Sequence, residues 1–180
     1  MKKLQLACVL GLLAASASAN ALGVSGEVGK EFTYFGAGFG TETGGLFING
    51  NYAHNDDNGD TAGLGLGVNI PVGPFMASVG GRAVYLNPKN QSEGYALAGG
   101  GGFSWPVTSS VSLYGDYYYS PDSLSSRVKD YKEANIGASW TVMRPISVQG
   151  GYRYIGLGGK NGDRTRTVAD GAYVGVSARF

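Results

Sequence analysis

His54 is the single histidine of this 180-residue chain, and Asp56 and Asp57 follow it closely. An imidazole beside a carboxylate is a common apparatus of general acid–base catalysis, and would suit a hydrolase. No serine constellation and no second acidic pair stands out to complete it. The overlapping run Asn55-Asp56-Asp57-Asn58-Gly59-Asp60 offers carboxylates to a divalent cation. It fails the EF-hand pattern, because His54 would fill the first ligand position and Gly65 the twelfth. Asn58-Gly59 is instead a strong hairpin signal, so the run reads as a turn. There is no dinucleotide fingerprint, P-loop or zinc-type spacing. No catalytic residue, metal or cofactor is expected from these motifs.

A second set of charges stands in unusual company. Glu27, Arg82, Asp116, Arg153 and Arg179 each interrupt a stretch rich in glycine, alanine, tyrosine and aliphatic residues. The elements that carry them alternate in polarity. In the last ten residues Ala172, Val174, Val176, Ala178 and Phe180 share one parity, and Tyr173, Gly175, Ser177 and Arg179 the other. Side chains of a strand alternate between faces, so this is a strand with one apolar and one polar side. Its ending, with Gly175, Ala178 and a final Phe180, is similar to the closing strand of bacterial outer-membrane barrels.

The same alternation recurs in ten segments: 22–29, 32–40, 46–54, 62–70, 75–85, 95–105, 111–119, 133–142, 146–156 and 171–180. Strands of about ten residues parted by turn signals are the mark of a transmembrane β-barrel. The predicted fold is an all-β, closed, antiparallel up-and-down barrel of ten strands; loss of the first two, least regular segments would leave eight. All six prolines fall between the segments, as residues that cannot donate to a ladder should. Counted back from the C-terminus, alternate connections are short (143–145, 106–110, 71–74, 41–45), and the others are mostly long (157–170, 120–132, 86–94, 55–61). Short turns belong in the periplasm, which puts both termini there. On the apolar parity, Phe39, Phe75, Trp105, Trp140 and Phe180 mark one level. Tyr52, Tyr85, Tyr95, Tyr119, Tyr152 and Tyr154 mark the other, giving two interfacial girdles.

The N-terminus agrees with export. Met1-Lys2-Lys3, the apolar run Leu4 to Ala15 and the small-residue site Ala17-Ser18-Ala19 read as a signal peptide, residues 1–19, with the barrel occupying 20–180. Cys8 lies within the apolar run, too early for lipidation, so the mature chain holds no disulfide. Losing Lys2 and Lys3 takes the formal charge from +1 to −1, and a balance that small implies no nucleic-acid partner. Glycine supplies 32 residues, far above the usual ~7 %. The collagen period is absent and aromatics are plentiful, which excludes a collagenous or disordered chain.

On the inward parity, Gly63, Gly65 and Gly67 and then Ala96, Ala98, Gly100 and Gly102 make walls with almost no side chain. Glu27, Arg82, Asp116, Arg153 and Arg179 are the charged lumen candidates. They either pack and pair across glycine walls or line a narrow polar pore. The favoured arrangement is a network of Arg82 and Arg153 centred on Asp116. In the long connections Arg127, Lys129 and Lys132, and then Lys160, Arg164 and Arg166, are solvated or contact lipopolysaccharide phosphates, which such cations suit. The expected protein is a monomeric, non-enzymatic barrel of a Gram-negative outer membrane. Its partners would be membrane lipids, lipopolysaccharide and the barrel-assembly machinery acting on the strand ending in Phe180. The alternative is a membrane-embedded hydrolase working at the external rim through His54.

The whole chain also resembles the YfaZ family of enterobacterial outer-membrane proteins. The resemblance rests on Val24-Ser25-Gly26-Glu27-Val28-Gly29, His54-Asn55-Asp56-Asp57, Tyr117-Tyr118-Tyr119-Ser120-Pro121-Asp122-Ser123-Leu124, Met143-Arg144-Pro145, Gly151-Tyr152-Arg153-Tyr154 and Val168-Ala169-Asp170-Gly171, together with Leu6 to Leu13 of the leader. It implies an outer-membrane barrel and brings no catalytic residues with it.

Overall fold

The computed structural model describes residues 22–89, 92–159 and 165–180. The leader read from residues 1–19 lies outside them, as do Lys160 and Arg164. The strands are β1 (Leu22–Gly29), β2 (Thr33–Phe39), β3 (Gly45–Asn55), β4 (Gly59–Val72), β5 (Phe75–Pro88), β6 (Gly94–Pro106), β7 (Val111–Ser120), β8 (Tyr131–Met143), β9 (Ile146–Leu157) and β10 (Arg166–Arg179). Each pairs antiparallel with the next, and β10 returns to β1, closing the barrel. This is the ten-stranded fold that the alternation predicts. Four short connections lie at one end with Leu22 and Phe180; the two longest, β7–β8 and β9–β10, lie at the other, beside the tight β1–β2 and β3–β4 turns.

Several strand ends differ from the expectation: β4 begins at Gly59 rather than 62, β5 runs to Pro88 rather than 85 and β8 begins at Tyr131 rather than 133. β10 begins at Arg166 rather than 171, so the connection before it is shorter. Pro71, Pro88 and Pro106 lie within strands rather than between them, opposite Met76, Gly59 and Ser112. Each stands on one of the last two rungs of its ladder, where a missing donor disturbs little.

The outward face is apolar. Leu46, Leu66 and Val174 are 80 %, 67 % and 69 % exposed, which on a barrel is a surface for hydrocarbon. Phe39, Phe75, Trp140 and Phe180 ring the short-turn end; Tyr52, Tyr85, Tyr95, Tyr119 and Tyr152 ring the other. Trp105 packs against Phe75 with ring centroids 5.2 Å apart, and Tyr154 is partly covered.

The closure is uneven. β1 and β2 have only 8 and 7 residues, against 14 in β10. β1 pairs with β10 only from Tyr173 to Arg179. Beyond the tip of this short hairpin, β10 reaches β3 directly: the Asn55 side-chain amide donates to the Val168 carbonyl at 3.0 Å. A register shift between Thr167 and Ala169 accompanies this crossing. Bulges re-aim side chains, and here the consecutive residues Val168 and Ala169 are both fully buried.

Candidate functional site

The interior has three levels. At the short-turn end lies a polar cavity of about 280 Å³. Its walls include Ser25, Asn49, Asn69, Ser78, Ser104, Ser112, Gln149 and Ser177, contributed by eight strands. Thr41 and Glu42 stand at its mouth, where Arg179 Nε lies 3.3 Å from Glu42 Oε1.

The middle level is a charged layer. Arg153 donates through Nε to Glu27 Oε2 at 2.8 Å, through a terminal nitrogen to Glu27 Oε1 at 2.9 Å, and through the other to Glu133 Oε1 at 3.3 Å. Arg82 donates to Glu133 Oε2, which also accepts from the Tyr131 hydroxyl at 2.7 Å. Gln149 donates to Glu27 at 3.1 Å. Both guanidiniums lie over tyrosine rings, Arg82 4.1 Å from the Tyr118 centroid and Arg153 3.6 Å from that of Tyr34. Paired and ring-covered, with Arg153 bidentate on Glu27, these ions tolerate burial that a lone charge would not. A tyrosine and amide chain continues the layer. The Tyr114 and Tyr173 hydroxyls are 2.7 Å apart, Tyr173 donates to Asn135 at 2.9 Å, and the Asn135 amide donates to Asp116 at 3.1 Å.

Small residues make room for this layer. A Cβ on Gly100 would lie 2.7 Å from the Tyr118 Cα, and one on Gly137 would lie 2.7 Å from the Tyr114 hydroxyl. Large side chains from one strand therefore occupy space that a glycine on the next leaves free.

The third level, toward the long loops, is largely apolar and buried. Ala53, Leu86, Ala96, Ile155, Val168 and Ala169 are 0 % exposed, and Phe32, Val84 and Leu157 are nearly so. The β7–β8 connection covers them. Val128 is buried in the same cluster, Ser126 N–H donates to Tyr95 C=O at 2.7 Å, and Lys129 N–H donates to Gly158 C=O at 2.9 Å.

The structure gathers four of the sequence-derived lumen residues, Glu27, Arg82, Asp116 and Arg153, and places the fifth, Arg179, at the mouth. The centre of the network differs from the expectation. Glu133, not Asp116, joins the two arginines, while Asp116 bonds the amide of Asn135. Glu133 has one more methylene and stands on β8 between the strands that carry Arg153 and Asp116. Its inward parity is legible, since Ala134 and Ile136 face out.

Among the loop cations, Arg127 and Lys129 are exposed, Lys132 is 3.5 Å from Asp130, and Arg166 is partly covered. At the same end His54 sits between two carboxylates, with Nδ1 2.5 Å from Asp60 and Nε2 3.1 Å from Asp56. Asp57 is exposed, and its backbone N–H, like that of Asn58, donates to Asn55 Oδ1, which makes the run a side-chain-stapled turn. Among the described residues no group of three ligating side chains could hold a metal.

A family model described as YfaZ precursor matches residues 1–180. The chain belongs to the YfaZ family. Outer membrane protein YfaZ of Escherichia coli (strain K12) is 58% identical over 180 residues, covering 100% of both chains. This YfaZ-family chain is thus an outer-membrane β-barrel protein made with a leader. Two solved structures are more distantly similar. The outer membrane channel DcaP of Acinetobacter baumannii gives a TM-score of 0.48 at 12% identity, over 92% of this chain and 55% of that one. The NanC porin gives 0.45 at 12% identity, over 89% and 100%.

Proposed function

We propose that this YfaZ-family barrel is a non-conducting, non-enzymatic outer-membrane protein, closed toward the outside and open toward the periplasm through its polar cavity. The observation that carries this reading is the division of the lumen. An ion or solute entering from the short turns meets Arg82 and Arg153, each held by glutamate, and beyond them a layer of fully buried aliphatic side chains. A pore through that layer would require the packed cluster and the Val128 loop to separate.

In this reading the short turns and both mature termini face the periplasm, the leader ends at residue 19, and the barrel works as a monomer. Arg127 and Lys129, with Lys132 and Arg166 beside them and Lys160 and Arg164 in the next loop, meet lipopolysaccharide phosphates at the outer surface. The β10 strand, ending in Phe180, engages the barrel-assembly machinery.

Cysteine accessibility tests the direction of opening. Asp57→Cys, in the β3–β4 turn, should react with a bulky impermeant maleimide on intact cells. Ser104→Cys, in the cavity wall, should react only once the reagent reaches the periplasm. The opposite pattern would invert the barrel.

The hydrolase alternative fares worse on geometry. With both ring nitrogens of His54 engaged by carboxylates, neither is free to take a proton from a nucleophile. Purified protein should show no protease, phospholipase or deacylase activity. Any such activity that His54→Ala abolished would replace the present reading.

A further inference from the structure

The charges around the cavity do not balance. Among the described residues, its lining and the layer beneath it hold four carboxylates (Glu27, Glu42, Asp116, Glu133) and three guanidiniums (Arg82, Arg153, Arg179). Every guanidinium is ion-paired, Arg179 to Glu42, Arg153 to Glu27 and Glu133, and Arg82 to Glu133, although the Arg82 Nε itself has no hydrogen-bond partner. Asp116 is the carboxylate left without an ion pair; its hydrogen bond comes from the neutral amide of Asn135. It lies half-buried on the cavity wall, which it shares with the paired charges above, with Ser25, Asn49, Ser78, Ser104, Ser112 and Ser177, and with Phe47, Met76 and Phe103. One of these, Ser177, is only 6% exposed and its hydroxyl has no hydrogen-bond partner.

We infer that the cavity is a binding site for a small polar organic monocation, whose ammonium group sits on Asp116 and whose hydroxyl or amine groups meet the neutral walls. A carboxylate in such a space needs either solvation or a counter-charge, and an ammonium supplies charge and three donors together. The volume, many times the ~30 Å³ that one water occupies, favours an organic ammonium over a bare inorganic ion. The walls mix serine, asparagine and glutamine side chains with Phe47, Met76 and Phe103, which suits a short ammonium that carries both methylenes and a hydroxyl or second amine. The inference uses the cavity of the proposed function but not the direction in which it opens.

The test is calorimetric titration of folded protein in a zwitterionic detergent, where both ends of the barrel are accessible. The probes are ethanolamine hydrochloride, with sodium chloride, potassium chloride, glycerol and sodium acetate alongside. Saturable binding is expected for ethanolamine, with none for glycerol or acetate. Asp116→Asn, which can keep a hydrogen bond to Asn135, should weaken it about tenfold or more, the loss of one charge-assisted hydrogen bond. Ser104→Trp leaves Asp116 intact and should abolish binding by filling the cavity; His54→Ala should leave it unchanged. Heat-modified gel mobility verifies that each variant is folded. Absence of ethanolamine binding, equal binding by Asp116→Asn, or competition by sodium or potassium at matching concentration would each overturn the inference. The first would mean that Asp116 is simply hydrated or carries its own proton. None of these outcomes bears on whether the barrel conducts, so the two readings fail separately.

Discussion

Glu133→Ala should destabilise the folded barrel by about 3–5 kcal/mol, the cost of leaving buried charge without its partner. Glu133 is fully buried and receives Arg82, Arg153 and the Tyr131 hydroxyl. Its removal leaves Arg82 without an ion-pair partner, over the Tyr118 ring and beneath a fully buried aliphatic layer. Arg153 keeps Glu27 and is less affected. Asp116→Asn should cost less than about 1.5 kcal/mol, since one hydrogen bond to a neutral amide is at stake. The measurement is urea unfolding of protein refolded into lipid vesicles, followed by the fluorescence of Trp105 and Trp140. A larger loss for Asp116→Asn than for Glu133→Ala would return the centre of the network to Asp116, where sequence reasoning first put it.

The second large effect belongs to the outer face. Leu66→Arg and Val79→Arg should each cost about 2–4 kcal/mol, because a charge near the bilayer midplane is poorly solvated. Both residues are well exposed, at 67 % and 57 %, so no loss of protein packing confuses the result. The adjacent Ser78 lies on the cavity wall, and Ser78→Arg should be milder because its charge enters a wet space near carboxylates. The same urea titration in vesicles reads all three. Equal losses for the two parities would refute the assignment of faces. In detergent, where the apolar belt is softer, the gap between them should narrow.

The course of the wall was legible in the sequence because alternation is a property of single strands. Leu64, Leu66, Val68 and Ile70 declare their face without knowledge of any neighbour, and the same holds for most of the ten strands, the first two being the least regular. The inward direction of Glu27, Arg82, Asp116 and Arg153 followed from the same parity. Which of them meet did not, because contact across a lumen depends on strand tilt, shear and side-chain length. Asp116 and Glu133 are on adjacent strands and both face inward, yet the one with the longer side chain bridges the arginines. The apolar plug was also hidden. Val84, Leu86 and Ile155 stand on the inward parity expected to be polar, near the strand ends, where alternation alone assigns no depth. Val168 and Ala169 are buried together through the register shift of β10, which breaks the parity that sequence reading depends on. The pairing of Asn55 with Val168 links residues 113 apart in the chain, and follows from a β1–β2 hairpin too short to wall that sector of the barrel.

The claim on which the rest depends is that the lumen is closed. Single-molecule recording in planar bilayers tests it most directly, with full-length mature protein refolded in detergent and inserted at low density. The account predicts a silent membrane, with no discrete openings in concentrated potassium chloride at either polarity, although gel mobility and protease resistance prove that folded barrels are present. Steady, reproducible conductance steps from the folded protein would contradict it, and would mean that the layer of Leu86, Ala96, Ile155 and Val168 opens.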